Sequence, residues 1–180
     1  MTEKIIIAGA GGQGIMLLGK VLAETAMKEK KYVTWLPAYG AEVRGGTAYC
    51  MVVVSDQEIG SPYIEQADAL IAMNRPSLER FKNRLKANGL LVVNTSLVKE
   101  KKEKRANFLQ FPFTDIAIKL GNIRVANMVA LGCFLKNKKT LSLKTASAVI
   151  AEIAPEQKND LIAINQQALN EGAGLTDGKS

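Results

Sequence analysis

Short apolar runs that end in glycine, proline or polar clusters recur through the first two thirds of the chain. Four or more consecutive apolar residues leave no polar face, so such runs predict strands buried on both sides, as in a parallel sheet. A further run contains Pro112, which favours an edge position in the sheet. Ile5–Ala8 and Leu90–Val93 are predicted as buried strands and Thr47–Val54 as a central one, and the other predicted strands are Tyr32–Leu36, Ala69–Met73 and Phe108–Phe113.

Segments with helical periodicity lie between and after these runs. In one of them Asn74 precedes Pro76 and Gly89 follows the last apolar position, the usual signals of a helix start and stop. From Asn122 onward only helical patterns occur, and Ser142 is a plausible N-cap for one of them. The predicted helices are Gln13–Lys30, Asn74–Gly89, Val125–Leu135 (apolar nearly all round), and two with apolar stripes, over Leu143–Ile153 and Leu161–Ala168.

Alternation of buried strands with helices predicts an α/β fold in three layers. We expect a mostly parallel, Rossmann-like sheet with helices on both faces and a helical C-terminal third. The 180 residues suit one domain with a sizeable core. We therefore expect a single α/β domain over residues 1–172, followed by a flexible tail over residues 173–180.

Composition narrows the classes of partner. The net charge of +7 favours anionic partners. The densest basic run, Lys99–Arg105, is interleaved with glutamates and lacks aromatic residues that could stack a base, so it predicts a solvated loop and no nucleic-acid site. No apolar run is long enough to span a membrane, and the N-terminus lacks the features of a signal peptide. We expect a cytoplasmic protein.

Cysteine and histidine usage limits the chemistry. Cys50 and Cys133 each lie within an apolar run, which predicts two buried free thiols. No C-x-x-C spacing occurs, so this chain by itself is not expected to ligate an iron–sulfur cluster or a structural zinc ion. The chain contains no histidine, the commonest general base and metal ligand. It also lacks a G-x-S-x-G elbow and a P-loop lysine, so we expect it to bind a ligand while the chemistry takes place elsewhere.

The stretch "IIIAGAGGQGIMLLGK" carries a glycine fingerprint. Gly9, Gly11 and Gly14 match G-x-G-x-x-G, follow a predicted strand and open a predicted helix. Glycine permits close approach of the backbone, and the helix N-terminus offers free N–H groups to an anion. Gly12 and Gln13 exceed what a tight turn requires, which favours a phosphate-bearing or acidic ligand over a purely structural loop.

A nicotinamide site needs one more feature that this sequence lacks. An acidic residue at the end of the second strand would hold the ribose, about 20 residues after the glycines. No aspartate or glutamate lies between Tyr32 and Gly40. The dinucleotide interpretation therefore fails its second requirement.

A second glycine-rich loop, "YGAEVRGGT", adds Glu42 and Arg44 to the candidate site. Because loops at the carboxyl ends of strands gather at one edge of an open sheet, both loops are expected to face one crevice. Arg44 could clamp a phosphate or carboxylate, and Glu42 could neutralise it or bond a polar group. The alternative is an exposed ion pair of little energetic value. Gly45, Gly46 and Thr47 complete this candidate segment.

Asn127 is the polar exception in the apolar helix "RVANMVALGCF". A buried amide must find hydrogen-bonding partners. It could cap a backbone group or contact a ligand, and both interpretations remain open.

Taken together, "GAGGQG", "WLPAYGAEVRGGTA", "IGSPYIEQADALIAMNRPSLERF" and "NMVALG" resemble the gamma subunit of 2-oxoacid:ferredoxin oxidoreductases. The similarity runs from about Lys4 to Gly172, and the "YGAEVRGGT" form is most similar to the 2-oxoglutarate branch. Pyruvate and branched-chain 2-oxoacids are the alternative substrates.

The resemblance implies a multi-subunit enzyme that is inactive as this chain alone. Alpha and beta subunits would hold thiamine diphosphate with Mg²⁺, and iron–sulfur clusters would lie in beta or in a ferredoxin-like delta subunit. The implied reaction converts 2-oxoglutarate, coenzyme A and oxidised ferredoxin to succinyl-CoA, CO₂ and reduced ferredoxin. This chain would line the coenzyme A crevice or dock the other subunits. The alternative function is a free-standing dinucleotide-binding oxidoreductase.

The expected ligand-contacting residues of that crevice are Gly9, Gly11, Gly12, Gln13, Gly14, Glu42, Arg44, Gly45, Gly46, Thr47 and Asn127. None of them is expected to be catalytic.

Overall fold

A computed structural model describes residues 1–39, 46–99, 107–154 and 159–175. Within these ranges the strands are β1 (Thr2–Ala10), β2 (Tyr32–Tyr39), β3 (Thr47–Ser55), β4 (Ala67–Ala72), β5 (Leu85–Asn94) and β6 (Phe108–Phe111). The helices are α1 (Ile15–Lys28), α2 (Arg75–Phe81), α3 (Phe113–Lys119), α4 (Ala126–Lys138), α5 (Leu143–Ile153) and α6 (Asn159–Gly174), with 3₁₀ turns at Lys82–Arg84 and Ile123–Val125.

The six described strands form one sheet in the order β2-β3-β1-β4-β5-β6. The pairs β1–β4, β4–β5 and β5–β6 are parallel, whereas β3 runs antiparallel to both of its neighbours. The predicted mostly parallel α/β sheet is therefore confirmed, and β6 is at the predicted edge. The reversal of β3 was not predicted, although only residues 40–46 connect β2 to β3. A parallel crossover needs a dozen residues or more, so this link can only make a hairpin.

Helices cover both faces of the sheet, but unequally. On one face Ile5 and Ile7 of β1 belong to a large core with α1, α3, α4, α5 and α6. On the other face Ile6 and Ala8 belong to a smaller core, to which α2 contributes Leu78 and Phe81. The alternation of side chains along β1 thus feeds two cores. The three predicted layers are present, with the helical C-terminal third on the larger side.

Two glycines allow α4 and α6 to pack with their backbones in contact. A Cβ atom on Gly132 would lie 1.9 Å from the Leu169 carbonyl oxygen, and one on Gly172 would lie 1.9 Å from the Val129 carbonyl oxygen. Residues Ala126 to Leu135 are all buried, as their all-round apolar pattern predicts. Helix α6 ends at Gly174, and residues 176–180 lie outside the described ranges. The domain boundary at residue 172 stays a prediction.

The predicted helix over Asn74–Gly89 is wrong in its second half. Asn74 does cap α2, because its side chain accepts a 3.0 Å bond from the Ser77 N–H. The helix ends at Phe81, and Leu85 already pairs with Ala67 as the first residue of β5. Leu85 lies four positions after Phe81, so it fits a helical stripe, yet it enters the same core as a strand residue.

Candidate functional site

The glycine loop joins the end of β1 to the start of α1. Gly12 (φ 89°) and Gly14 (φ 70°) adopt left-handed backbone conformations that favour glycine. Gly14 is the N-cap of α1 and supplies no side-chain cap. The amides of the first helical turn have no acceptor within the helix, so they form a ready-made site for an anion.

The second loop meets the first at the same edge of the sheet. The Gly11 N–H donates a 3.3 Å bond to the Gly46 carbonyl, and Ala10 is opposite Thr47 in the β1–β3 ladder. The described residues of the predicted site therefore come from both loops and lie together at this edge. Glu42, Arg44 and Gly45 lie outside the described residues, and their roles stay predictions.

Gly9 and Gly11 differ in what surrounds them. A Cβ on Gly9 would lie 2.6 Å from Ile15 Cδ1 and 2.7 Å from Gln13 Oε1, so Gly9 is required by packing within the loop. A Cβ on Gly11 would have no heavy atom of the described residues within 4 Å. The open side of the loop is therefore at Gly11.

Gln13 ties the loop to the neighbouring strand. Its Oε1 accepts a 2.7 Å bond from the Ala10 N–H, and its Nε2 donates a long 3.5 Å bond to the Met73 carbonyl. Met73 directly follows β4, the parallel neighbour of β1. Helix α1 leaves β1 toward one face, while α2 leaves β4 toward the other. Gln13 thus bridges the switch point where α/β folds bind ligands. Direct ligand contact by Gln13 stays a prediction.

Asn127 fixes the N-cap of α1 from the neighbouring helix. The residue is 1% exposed, and its Nδ2 donates a 3.0 Å bond to the Gly14 carbonyl. Its Oδ1 accepts a 2.9 Å bond from the Met128 N–H. Both partners are main-chain groups, which supports the structural interpretation of this buried amide. Contact with a ligand stays a prediction.

Two polar residues that support this edge were missed by the sequence analysis. Asn94 is fully buried at the end of β5, and its Nδ2 donates to the Met73 carbonyl at 3.1 Å and to Thr114 Oγ1 at 2.8 Å. The Thr114 N–H returns a 3.3 Å bond to Asn94 Oδ1. A polar residue that ends the apolar run "LLVV" was the available signal. These bonds hold the Met73 carbonyl to which Gln13 also donates.

Burial limits the chemistry of the two cysteines. Both cysteines are buried thiols, as predicted. Burial raises the pKa of the Cys50 thiol to about 12, and a hydrogen bond with Trp35 offsets only part of that rise. Within the described ranges no cluster of three or more histidine, cysteine, aspartate or glutamate side chains could hold a metal ion. What this edge offers is backbone N–H groups and glycine-lined space.

The sheet also lacks the layout of a nicotinamide site. In the dinucleotide fold the ribose-binding carboxylate follows the parallel strand beside β1. Here the antiparallel β3 separates β1 from β2, and β2 contains no acidic residue.

Of the helices in the described part, none is long and apolar enough to cross a membrane.

Comparison with known proteins identifies the family. The model of the pyruvate ferredoxin/flavodoxin oxidoreductase family matches residues 4–175, and the chain belongs to this family. The chain is 35% identical over 170 residues to the 2-oxoglutarate synthase subunit KorC of Methanothermobacter marburgensis, covering 88% of this chain and 91% of that subunit. It is 34% identical over 170 residues to the ketoisovalerate oxidoreductase subunit VorA of the same organism, covering 94% of this chain.

A solved structure agrees with the family assignment. The gamma subunit of a keto/oxoacid ferredoxin oxidoreductase from Geobacter sulfurreducens PCA is 29% identical, with a TM-score of 0.80, over 94% of this chain and 95% of that one. The resemblance to gamma subunits expected from the sequence is thereby confirmed. The chain spans only 36% of the length of the VorA relative, so there the same unit is one part of a longer polypeptide.

Proposed function

We propose that this chain is the gamma subunit of a thiamine-diphosphate-dependent 2-oxoglutarate:ferredoxin oxidoreductase. The complex would oxidatively decarboxylate 2-oxoglutarate to succinyl-CoA and pass the electrons to ferredoxin. Similarity to KorC over 91% of its length supports this choice, as does the "YGAEVRGGT" segment. The VorA relative is equally similar in sequence but much longer. Ketoisovalerate and pyruvate are the competing substrates.

The proposed division of labour follows from what the chain contains. Thiamine diphosphate, held with Mg²⁺ by the alpha and beta subunits, would supply the decarboxylation chemistry. The iron–sulfur clusters of the enzyme would lie in beta or in a ferredoxin-like delta subunit, because the two buried cysteines of this chain cannot ligate a four-cysteine cluster. This chain would supply binding groups.

We propose that the two glycine loops form one wall of the coenzyme A crevice. The observation that carries this proposal is the open side of Gly11, bonded to Gly46 and placed beside the N-terminus of α1. Free amides at such a site suit the phosphates of coenzyme A. Arg44 would clamp a phosphate in bidentate fashion, and Glu42 would orient a polar group of the ligand.

The substrate is tested on the reconstituted complex. Ferredoxin reduction is measured with coenzyme A and, in turn, 2-oxoglutarate, pyruvate and 2-oxoisovalerate. We expect kcat/KM to favour 2-oxoglutarate by roughly 10-fold or more. Pyruvate and 2-oxoisovalerate lack its second carboxylate, so they would leave the polar groups that bind this carboxylate without a partner. A higher kcat/KM for either competitor would assign the enzyme to that branch of the family.

The crevice is tested with Arg44→Ala and Gly11→Ala in the same complex. Because Arg44→Ala loses a charged hydrogen bond to the ligand, it is expected to raise the KM for coenzyme A about 10-fold, with little change in the KM for 2-oxoglutarate. Lys144→Ala is the control, because this exposed residue is on α5, whose N-cap Ser142 donates its N–H to Glu29 Oε1 at the far end of α1. An unchanged KM for coenzyme A removes Arg44 from the role, and failure to assemble assigns the loops to docking.

A further inference from the structure

Two arginines on the less covered face of the sheet lie against aromatic rings. The Arg80 guanidinium carbon is 4.9 Å from the centre of the Tyr49 ring and 5.3 Å from that of Phe81. The Arg84 carbon is 5.0 Å from the centre of Tyr63 and 5.9 Å from that of Phe81. We call these five residues the arginine–aromatic patch. Cation–π attraction favours these positions of the two guanidiniums over the rings.

Neither guanidinium of the patch has a carboxylate partner among the described residues. Arg84 uses its Nε to donate a 3.3 Å bond to the Glu65 carbonyl, while its buried Nη2 has no acceptor in the described part of the chain. Neighbouring cations do have acidic partners, since Arg75 pairs with Glu79 and Lys86 pairs with Asp68. A guanidinium carries five donors in a rigid fork, so the patch leaves donors unused. Buried donors without acceptors are rare in folded proteins.

The patch is also open to another macromolecule. Within the described residues, α2, the following 3₁₀ turn and adjoining loops cover this face, whereas five helices cover the other. Tyr63 is 54% exposed and Arg80 is exposed. Tyrosine and arginine are the residue types that dominate binding energy at protein interfaces. Both arginines lie within 6 Å of the same ring centre, so their guanidinium carbons are no more than about 11 Å apart.

We propose that the arginine–aromatic patch is a docking surface for a partner chain of the same enzyme that presents surface carboxylates. This inference rests on the proposed function. In the VorA relative this unit is 36% of the polypeptide, so the remaining part belongs to the same molecule and is the natural occupant of an open face. Carboxylates match the arginine fork in bidentate geometry, and the net charge of +7 favours an acidic partner.

The test measures affinity between this full chain and the catalytic subunits of the same enzyme by isothermal titration calorimetry. Arg80→Glu reverses the charge of an exposed side chain and is expected to weaken binding at least 10-fold. Arg80→Lys keeps the charge but not the fork and is expected to weaken it less. Lys144→Glu makes the same change in net charge on α5, across the sheet, and is expected to stay within twofold of the parent chain. Circular dichroism confirms that each variant is folded.

The outcomes separate this proposal from the proposed function. If Arg80→Glu binds as tightly as the parent and the complex is active, the docking surface is elsewhere while the proposed function stands. If the parent chain forms no complex with the catalytic subunits, both fail. If Arg80→Glu binds them normally but raises the KM for coenzyme A, the patch binds a small anionic ligand and the docking proposal is overturned. Weaker binding by Arg80→Glu with a normal Lys144→Glu supports docking.

Discussion

Replacing Gly14 with alanine should destabilise the fold through the N-cap of α1. The residue has φ 70°, which costs alanine about 1–2 kcal/mol. Its Cβ would lie 2.3 Å from Asn127 Nδ2 and 2.9 Å from Asn127 Cγ, so the amide must move. Movement breaks the 3.0 Å bond from Asn127 to the Gly14 carbonyl and leaves a buried amide unpaired, at about 1–3 kcal/mol. We expect a total loss of about 2–5 kcal/mol in the free energy of unfolding.

Urea denaturation followed by circular dichroism measures this loss on the full chain. Gly11→Ala is the matched control from the same loop, because its Cβ meets no atom of the described residues within 4 Å and its φ is not positive. We expect that control to stay within about 0.5 kcal/mol of the parent protein. Removing the obstructing side chain in Gly14→Ala/Asn127→Ala should cost less than the sum of the two single changes, by about 1 kcal/mol. A Gly14→Ala protein as stable as the Gly11→Ala control, or strictly additive effects, would refute this account of the loop.

Two further predictions concern the core. Gly172→Ala should lower the free energy of unfolding by about 2 kcal/mol or more in urea denaturation, because overpacking against the Val129 carbonyl outweighs the helix propensity of alanine. Gly174→Ala in the same helix, where a Cβ meets no atom of the described residues within 4 Å, should be neutral or slightly stabilising. Equal effects of the two changes would contradict the close packing of α4 and α6. The Cys50 thiol, with its pKa raised to about 12 by burial, should react with iodoacetamide at pH 8 roughly 1,000-fold more slowly than in the unfolded chain, by peptide mass spectrometry. Rapid labelling of the native protein would contradict this burial. Because the pKa of the thiol is raised in the folded state, the thiol ionises first in the unfolded chain, so the free energy of unfolding should fall as the pH rises above about 9 toward 12.

Local patterns were sufficient to predict the fold class and the position of the glycine loop between β1 and α1. Apolar runs predicted the buried strands, and the all-round apolar segment predicted the burial of α4. The N-cap signals of Asn74 and Ser142 correctly predicted the starts of α2 and α5. Periodicity failed at Leu85, because an apolar residue four positions after Phe81 fits a helix and a following strand equally well.

Gly14 and Asn127 show what only the tertiary structure decides. They are 113 positions apart, so nothing in the sequence indicates that the Asn127 side-chain amide donates to the Gly14 carbonyl. The same is true of Gln13 and Met73, and of the arginines that pack on Tyr49 and Tyr63. The sequence by itself determined the elements and the glycine fingerprint, because these depend on residues close together along the chain. The position of β3 between β2 and β1, the bridged switch point and the arginine–aromatic patch depend on which distant segments meet, and only the packed fold decides that.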